Sequence, residues 1–518
     1  MTKDRAKGKR KYILIGLISV AGFFTLSHYT RSQAFPKLAN EPQPVFHLNI
    51  DTSIASSVFT QYDYIQFFDK TSLDHFVRSW NNTANKKLSI VHLGDSHLQS
   101  DIYPARIRRN FQKMKGDGGR GMVFPYSTAK TYSSIEYKTT HTGDWTYAKS
   151  LILPPKLPLG VIGMTSNTIV PNATFTLTFD SVVPATYDRL RIYCKKSSHS
   201  FDLKIVTASE TLNVPVDSAA GDSLPYYELK VKPIGKTITV KAIKANDKED
   251  ELEFYGMSME TSSDNGVILH NCGVGGAKYE SILYEDLFDA QLPTLHPDLV
   301  IIDFGTNNYI YEDSLHPDMD TIINNVINKV RKDAPDASII LTSTQDMVRK
   351  GHDMVCGEKF SDLVRDIARK QHCGFYDWYW ISGGRAKMPM WIDKGYAQPD
   401  GIHLGIKGYH LKGDLFTNAV LNSMQWVTQH PDGDSLAFNM DSIKLDQKKL
   451  LVADSTWNNY SVAGTTLIKH KVTSGQTLGG IANKYGVSVA QIKRWNNLRS
   501  DMIHSGDVLI IHKPSRHH

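Results

Sequence analysis

Five short apolar runs, at 88–93, 267–270, 299–304, 337–342 and 374–378, leave this chain little choice of fold. Each is the length of a strand, and each is mainly apolar without a strict apolar/polar alternation. Both of its faces must therefore be covered, as happens in parallel sheets flanked by helices. Helical periods lie between them: over 319–332, Ile322, Ile323, Val326, Ile327 and Val330 form one apolar stripe, and Pro335 stops the helix. The alternation predicts the α/β class, a three-layer, doubly wound sheet.

One interval departs from the alternation. Between about 125 and 262 the helical period gives way to short alternating strands, at 174–179, 189–193, 201–206, 227–231 and 237–242, punctuated by turn residues. Because it separates the first apolar run from the second, it is expected to be a β-sandwich inserted within the α/β domain, with the Gly-rich stretch Gly116 to Gly121 at its start. The expected organisation is an N-terminal signal or anchor (1–34), a stalk (35–60), the α/β domain (61–124 and 263–427), the insert (125–262), a linker (428–468) and a small βααβ domain (469–514).

At 518 residues the chain exceeds a single core, and 41% hydrophobic with 22% charged residues is ordinary for a globular protein. A net charge of +6 without a basic cluster interleaved with aromatics beyond the N-terminus argues against nucleic acid. The N-terminus itself is basic over 3–11 and apolar over 12–26, the pattern of an export signal. We expect it to remain as an inner-membrane anchor, the Ser32-Gln33-Ala34 cleavage-like site lying well past the apolar segment. In an exported chain, Cys194, Cys272, Cys356 and Cys373 leave two states open: a disulfide tying Cys356 to Cys373 across the helix-like segment between them, or buried thiols. Their spacing fits no zinc site, and neither metal nor cofactor is expected. Gly116, Gly118 and Gly121 match a dinucleotide fingerprint as text only, since no helix opens after them.

Three stretches carry chemistry: Gly94-Asp95-Ser96-His97 and Gly305-Thr306-Asn307-Asn308 at run ends, and Asp400-Gly401-Ile402-His403 near the far end of the same domain. Ser96 stands where a strand passes into a helix, at the carboxyl edge where open α/β sheets build their sites. His403 is its candidate base, and Asp400, three residues earlier, the carboxylate that orients the imidazole. The Ser96 N–H, Asn307 and a backbone N–H in the turn Gly273 to Gly276 are candidate oxyanion donors, each typically worth about 3–4 kcal/mol of barrier. Tyr376, Trp378, Tyr379, Trp380, Trp391 and Tyr396 precede the Asp-x-x-His loop, either as a sugar-stacking wall or as the core beneath it.

In this order the motifs resemble the SGNH (GDSL-like) hydrolases, over about 90–125 and 263–425. The resemblance implies a flavodoxin-like fold and a serine esterase. Its four name-giving residues map onto Ser96, Gly276, Asn307 and His403, with Asp400 completing the triad; Gly275 and Gly273 are neighbouring alternatives for the glycine. Asn308 departs from the aspartate many members carry. The end of the chain, from His470-Lys-Val-Thr-Ser-Gly through Asn496 to Gly506-Asp-Val-Leu, resembles a LysM module, with Ile481, Ala482, Ile492 and Leu509 as core and Gln476 where Asp is usual. That resemblance implies binding of N-acetylglucosamine-containing glycans, with Gly475, Thr477 and Asn496 near the groove. The placement of the insert is similar to that in periplasmic peptidoglycan O-acetylesterases, where a carbohydrate-module-like sandwich interrupts the SGNH domain; a structural lid is the alternative. Together these imply a Gram-negative periplasmic deacetylase of peptidoglycan using a Ser-His-Asp acyl-enzyme. An esterase or acetyltransferase for another acetylated polysaccharide, and a non-catalytic wall-binding protein, are the competing readings.

Overall fold

The computed structural model describes residues 46–216, 224–349, 352–457, 465–496, 498 and 500–514. The N-terminal basic and apolar segment lies outside them. Among the described residues no helix is long and apolar enough to cross a membrane.

All five apolar runs form strands, and a sixth strand joins them: β1 (Leu88–Gly94), β2 (Asp117–Val123), β3 (Val267–Gly273), β4 (Leu299–Asp303), β5 (Ser338–Thr342) and β6 (Gly374–Tyr376). They lie parallel in the order β2-β3-β1-β4-β5-β6. From β3 onward this is the flavodoxin-like order, which reverses between β1 and β4 and opens a crevice at their carboxyl ends. The helices α1 (Ile102–Lys115), α2 (Met319–Asp333), α3 (Cys356–Lys370) and α4 (Ile406–Gln429) cover the sheet. Alternate strand residues divide between two cores, which is why these runs are apolar on both faces. Ile90, Leu269, Ile301 and Ile340 pack with Ile107 and Phe111 of α1 and Leu415 and Phe416 of α4. Val91, Leu93, Val300, Ile302 and Leu341 pack with Ile323 and Val326 of α2 and Phe360 and Val364 of α3.

Contact between α1 and α4 is close because Gly413 has no side chain: a Cβ there would lie 2.7 Å from that of Arg106. Beside this point Arg106 makes a two-pronged pair with Asp414, at 2.6 and 2.8 Å, and Asn110 bonds Asp414 and Thr417.

The Gly-rich segment expected as a boundary is built into the fold, Gly116 ending α1 and 117–121 opening β2. Glycine is a poor strand former, but at Gly121 a Cβ would fall 2.4 Å from the Leu269 carbonyl oxygen, so only glycine permits the approach. Arg120 of this strand anchors it through Asp101, a buried carboxylate that also receives Arg108 and the Asn271 amide at 2.7, 3.1 and 3.1 Å. Burial pushes the Asp101 pKa up, but Arg108 and Arg120 outweigh it and hold the carboxyl below its usual range. Asp101→Asn leaves two buried guanidiniums with only the part-exposed Glu136, and is expected to lower stability by roughly 3–5 kcal/mol in urea unfolding. A carboxylate whose folded pKa is depressed stabilises at neutral pH and loses that contribution as pH falls through the folded value. The gap between the two proteins should therefore narrow below about pH 4.

The insert builds a five-stranded antiparallel sheet from Tyr137–Thr142, Thr174–Phe179, Thr237–Ile243, Asp202–Val206 and Thr211–Val214, in that spatial order. Its opposing layer is continuous with the α/β sheet. Leu252–Glu260 pairs antiparallel with β2, and Arg189–Cys194, Tyr226–Lys230, Met164–Thr168 and Thr146–Lys149 extend outward from it. Aromatic side chains close the two layers, with the rings of Phe175 and Phe254 centred 4.8 Å apart.

Three expectations are corrected. The part of the expected stalk that is described folds onto the domain: Ile54, Val58 and Phe59 are buried, and the Phe59 N–H bonds the Ile381 carbonyl at 2.9 Å. The expected linker contains a helix, Met440–Trp457, which turns the narrow stripe Met440, Ile443, Gln447 and Leu450 inward. Cys356 and Cys373 are buried free thiols. A helix of 15 residues lies between them, about 1.5 Å per residue, which holds them far beyond the roughly 7 Å a disulfide spans.

The C-terminal domain comprises Thr465–Lys471, Leu478–Tyr485, Val489–Trp495 and Val508–Pro514, the expected βααβ order, with its two strands antiparallel. Ile481, Ala482, Ile492 and Leu509 are buried in its core, as the sequence indicated.

Candidate active site

At the end of β1 the chain turns into a short helix, Ser96–Gln99, capped by Asp95, whose carboxylate accepts from the His97 N–H at 3.0 Å. Because Asp95 does the capping, the Ser96 hydroxyl is available for another partner. It meets His403 Nε2 at 2.8 Å. On the other side of the ring, His403 Nδ1 lies 2.7 Å from Asp400 Oδ2. The other Asp400 oxygen accepts from the N–H groups of Ile402 and His403 at 2.9 and 3.0 Å, closing the loop on itself. Partial burial pushes the Asp400 pKa up, and the bond to His403 with the two N–H bonds more than reverses that, keeping the carboxyl ionised. An anionic carboxylate accepts from Nδ1–H, which leaves Nε2 as the acceptor for a serine proton.

The three glycines of the turn differ in what their N–H groups do. Gly273 ends β3, paired with Gly94. Gly275 donates to Gln99 at 2.6 Å. Gly276, at φ +87°, has no acceptor for its N–H among the described residues. Asn307 follows Gly305, where a Cβ would overlap the Phe360 ring, and its amide donates to the Ala277 carbonyl at 2.9 Å, with Asp95 Oδ2 at 3.5 Å. Asn307 and Gly276 are thereby held side by side. Asn308 fixes the same turn, accepting from the Tyr279 N–H and donating to Glu280 at 3.2 and 2.8 Å.

Several supporting residues carried no sequence signal. Gln345, after β5, donates to the Ile402 carbonyl at 2.7 Å and to His97 Nε2 at 3.2 Å. His97 Nδ1–H then donates to the Tyr409 hydroxyl at 2.8 Å, and the imidazoles of His97 and His403 lie 5.1 Å apart, tilted by 39°. Burial, then the neighbouring His403 and Lys412 charges, push the His97 pKa well below the imidazole range, so it is neutral. Asp95 is buried too, and burial aided by Asp303 pushes it up to about 7. These groups are recognisable only once the fold has joined segments hundreds of residues apart.

The aromatic cluster before the loop is core. Tyr376, Trp378, Tyr379, Trp380, Trp391 and Tyr396 are all buried, so they support the loop from beneath and cannot stack on a sugar. In the C-terminal domain, Asn496 is turned inward: its amide donates to the Ile492 and Ile510 carbonyls and accepts from the Ile510 N–H. Thr477 caps a helix by accepting from Gly480, whereas Gly475, at φ +84°, is open. Of the three expected groove residues, only Gly475 is thus unencumbered, since the other two hold the fold together. Gln476 accepts from the Thr473 N–H and His470 Nε2–H, at 3.0 and 2.9 Å.

Residues 257–411 match the model of the GDSL-like Lipase/Acylhydrolase family, and residues 470–512 match the LysM domain. A solved structure of a peptidoglycan O-acetylesterase is 20% identical, covers 70% of this chain and 99% of its own, and superposes with a TM-score of 0.58, a likeness of fold. Among curated proteins, the cell wall-binding protein YocH of Bacillus subtilis (strain 168) is 33% identical over 86 residues, 17% of this chain and 30% of that protein. A probable N-acetylmuramidase of Lactococcus lactis subsp. lactis (strain IL1403) is 52% identical over 42 residues, 8% of this chain and 10% of its own. The chain thus spans less than a third of the length of these curated relatives. The α/β domain, with its insert, has the fold of an SGNH hydrolase. The chain carries a GDSL-like lipase/acylhydrolase domain, the domain of a carboxylic ester hydrolase, and after it a LysM domain.

Proposed function

We propose that this chain is a serine esterase that removes O-acetyl groups from peptidoglycan glycan strands. One observation carries the reading: Ser96, His403 and Asp400, the first two separated by 307 positions, form an unbroken hydrogen-bonded chain beside three candidate oxyanion donors. His403 takes the Ser96 proton as Oγ attacks the ester carbonyl. The N–H groups of Ser96 and Gly276 and the Asn307 amide receive the developing oxyanion. Collapse expels the sugar hydroxyl, protonated by His403. Water, activated by the same imidazole, then releases acetate and regenerates the serine.

The choice of polymer draws on the LysM domain, which would hold the enzyme on N-acetylglucosamine-containing strands, and on the peptidoglycan O-acetylesterase that shares the fold. The basic and apolar N-terminus supports a periplasmic enzyme anchored to the inner membrane. The test is acetate release from O-acetylated cell wall against the same wall after mild alkaline de-O-acetylation. Acetate is expected only from the first. Faster release from acetylated xylan than from wall would reassign the polymer, and release from neither would reject the esterase reading.

A further inference from the structure

We infer that Tyr132 and Leu151, both contributed by the insert, form the wall that restricts the acyl group of the substrate to acetyl; the inference rests on the esterase reading above. In an acyl transfer at Ser96, the oxyanion faces the Gly276 N–H and the leaving oxygen faces His403 Nε2. The acyl chain is then held over the face of the turn Gly275 to Gly276, beside the N–H that receives the oxyanion. Two side chains stand there. A Cβ on Gly275 would lie 3.0 Å from the Tyr132 hydroxyl, which is itself 3.5 Å from the Ser96 carbonyl oxygen. A Cβ on Gly276 would lie 3.4 Å from that of Leu151. Both glycines are thus overhung by side chains from another part of the chain.

Neither side chain is packed away: Tyr132 is 49% and Leu151 40% exposed, so each offers surface to whatever occupies the site. Their loops are nevertheless fixed. The Gln99 amide, 1% exposed, donates to Thr131 Oγ1 and the Tyr132 carbonyl at 3.0 and 2.8 Å while accepting from the Gly275 N–H. The Ile135 N–H adds a bond to the Ser100 carbonyl at 2.8 Å. The second loop is tied by Gln291, likewise 1% exposed, which accepts from the Val161 N–H at 3.0 Å, and by the Leu287 N–H bonding the Leu159 carbonyl at 2.9 Å. Exposed tips on buried amide anchors make a fixed wall over the turn that carries the Gly276 N–H. A methyl group fits between such a wall and the serine, and a longer chain meets it.

The experiment compares kcat/KM for p-nitrophenyl acetate, propionate and butyrate in the full chain, in Tyr132→Ala, in Leu151→Ala, in the double variant and in Ser96→Ala. Each extra methylene meeting a fixed wall is expected to lower kcat/KM by about tenfold or more, so wild type should prefer acetate to butyrate strongly. The double variant should reduce that acetate-to-butyrate ratio by about tenfold or more, with each single variant between. Tyr132→Phe, which keeps the ring, should preserve the wild-type ratio. A ratio in the double variant within about twofold of wild type, with Ser96→Ala inactive, would overturn the wall while leaving the esterase reading intact. No hydrolysis by wild type, or full hydrolysis by Ser96→Ala, would remove that reading and this inference together. If the double variant fails to fold, Leu151→Phe serves instead: by thickening the wall it should lower propionate relative to acetate, and an unchanged ratio would overturn the proposal.

Discussion

Ser96→Ala is expected to lower kcat on a small acetyl ester by about a hundred-thousandfold, with KM little changed. The hydroxyl supplies the atom that becomes acylated, and no other side chain on this edge of the sheet stands in the same relation to His403. Alanine is also a conservative probe of the fold. The helix that begins here is capped by Asp95 and not by Ser96, so the substitution removes a nucleophile and leaves the cap in place. Thermal unfolding should coincide with wild type within a degree or two. The measurement is single-turnover hydrolysis followed by mass spectrometry, in which wild type gains an acetyl adduct on the peptide containing Ser96 and the variant gains none. Residual activity near wild type would assign the chemistry to another residue.

The second large loss is expected from Asp400→Asn, about ten-thousandfold in kcat. Asparagine is nearly isosteric, and its carbonyl oxygen can still receive the N–H groups of Ile402 and His403, so the loop keeps its shape. What changes is the side facing His403 Nδ1. An amide N–H there donates where the carboxylate accepted, which fixes the proton on Nε2 and leaves Ser96 facing a donor instead of a base. The defect is electronic, and it should be visible directly: nitrogen-15 NMR of the imidazole should report Nδ1 protonated in wild type and Nε2 protonated in the variant. A normal tautomer with normal turnover would show that this carboxylate has no part in orienting the ring.

Much of this could be read before any coordinates. The five strands were legible because a central parallel strand is buried on both faces and so shows as a short, mainly apolar run without alternation. Ser96 and Asn307 were legible because strand ends of an α/β sheet converge on one edge, and His403 because an Asp three residues before a His marks an oriented imidazole. The losses have physical causes as well. β2 was hidden by its glycines, whose role is close approach to Leu269, and Leu252–Glu260 by its position at what seemed the end of a separate domain. The helix Met440–Trp457 presents too narrow an apolar stripe to stand out from a polar linker. Gln99, Gln291 and Gln345 bind backbone groups from distant segments, and no local pattern announces an amide of that kind. The turn Gly273 to Gly276 is an intermediate case, since its sequence offered three donors and their hydrogen bonds single out one.

The glycine contact between α1 and α4 has a consequence for how such a site ages under mutation. Ser96 sits just ahead of one of these helices and His403 just ahead of the other, so the pair behaves like the jaws of a caliper whose opening is set at the hinge of Gly413 and Arg106. Any side chain inserted at that hinge spreads the jaws, and proton transfer falls off steeply with separation. Inactivating changes should therefore accumulate along this helical seam, in a protein that remains folded.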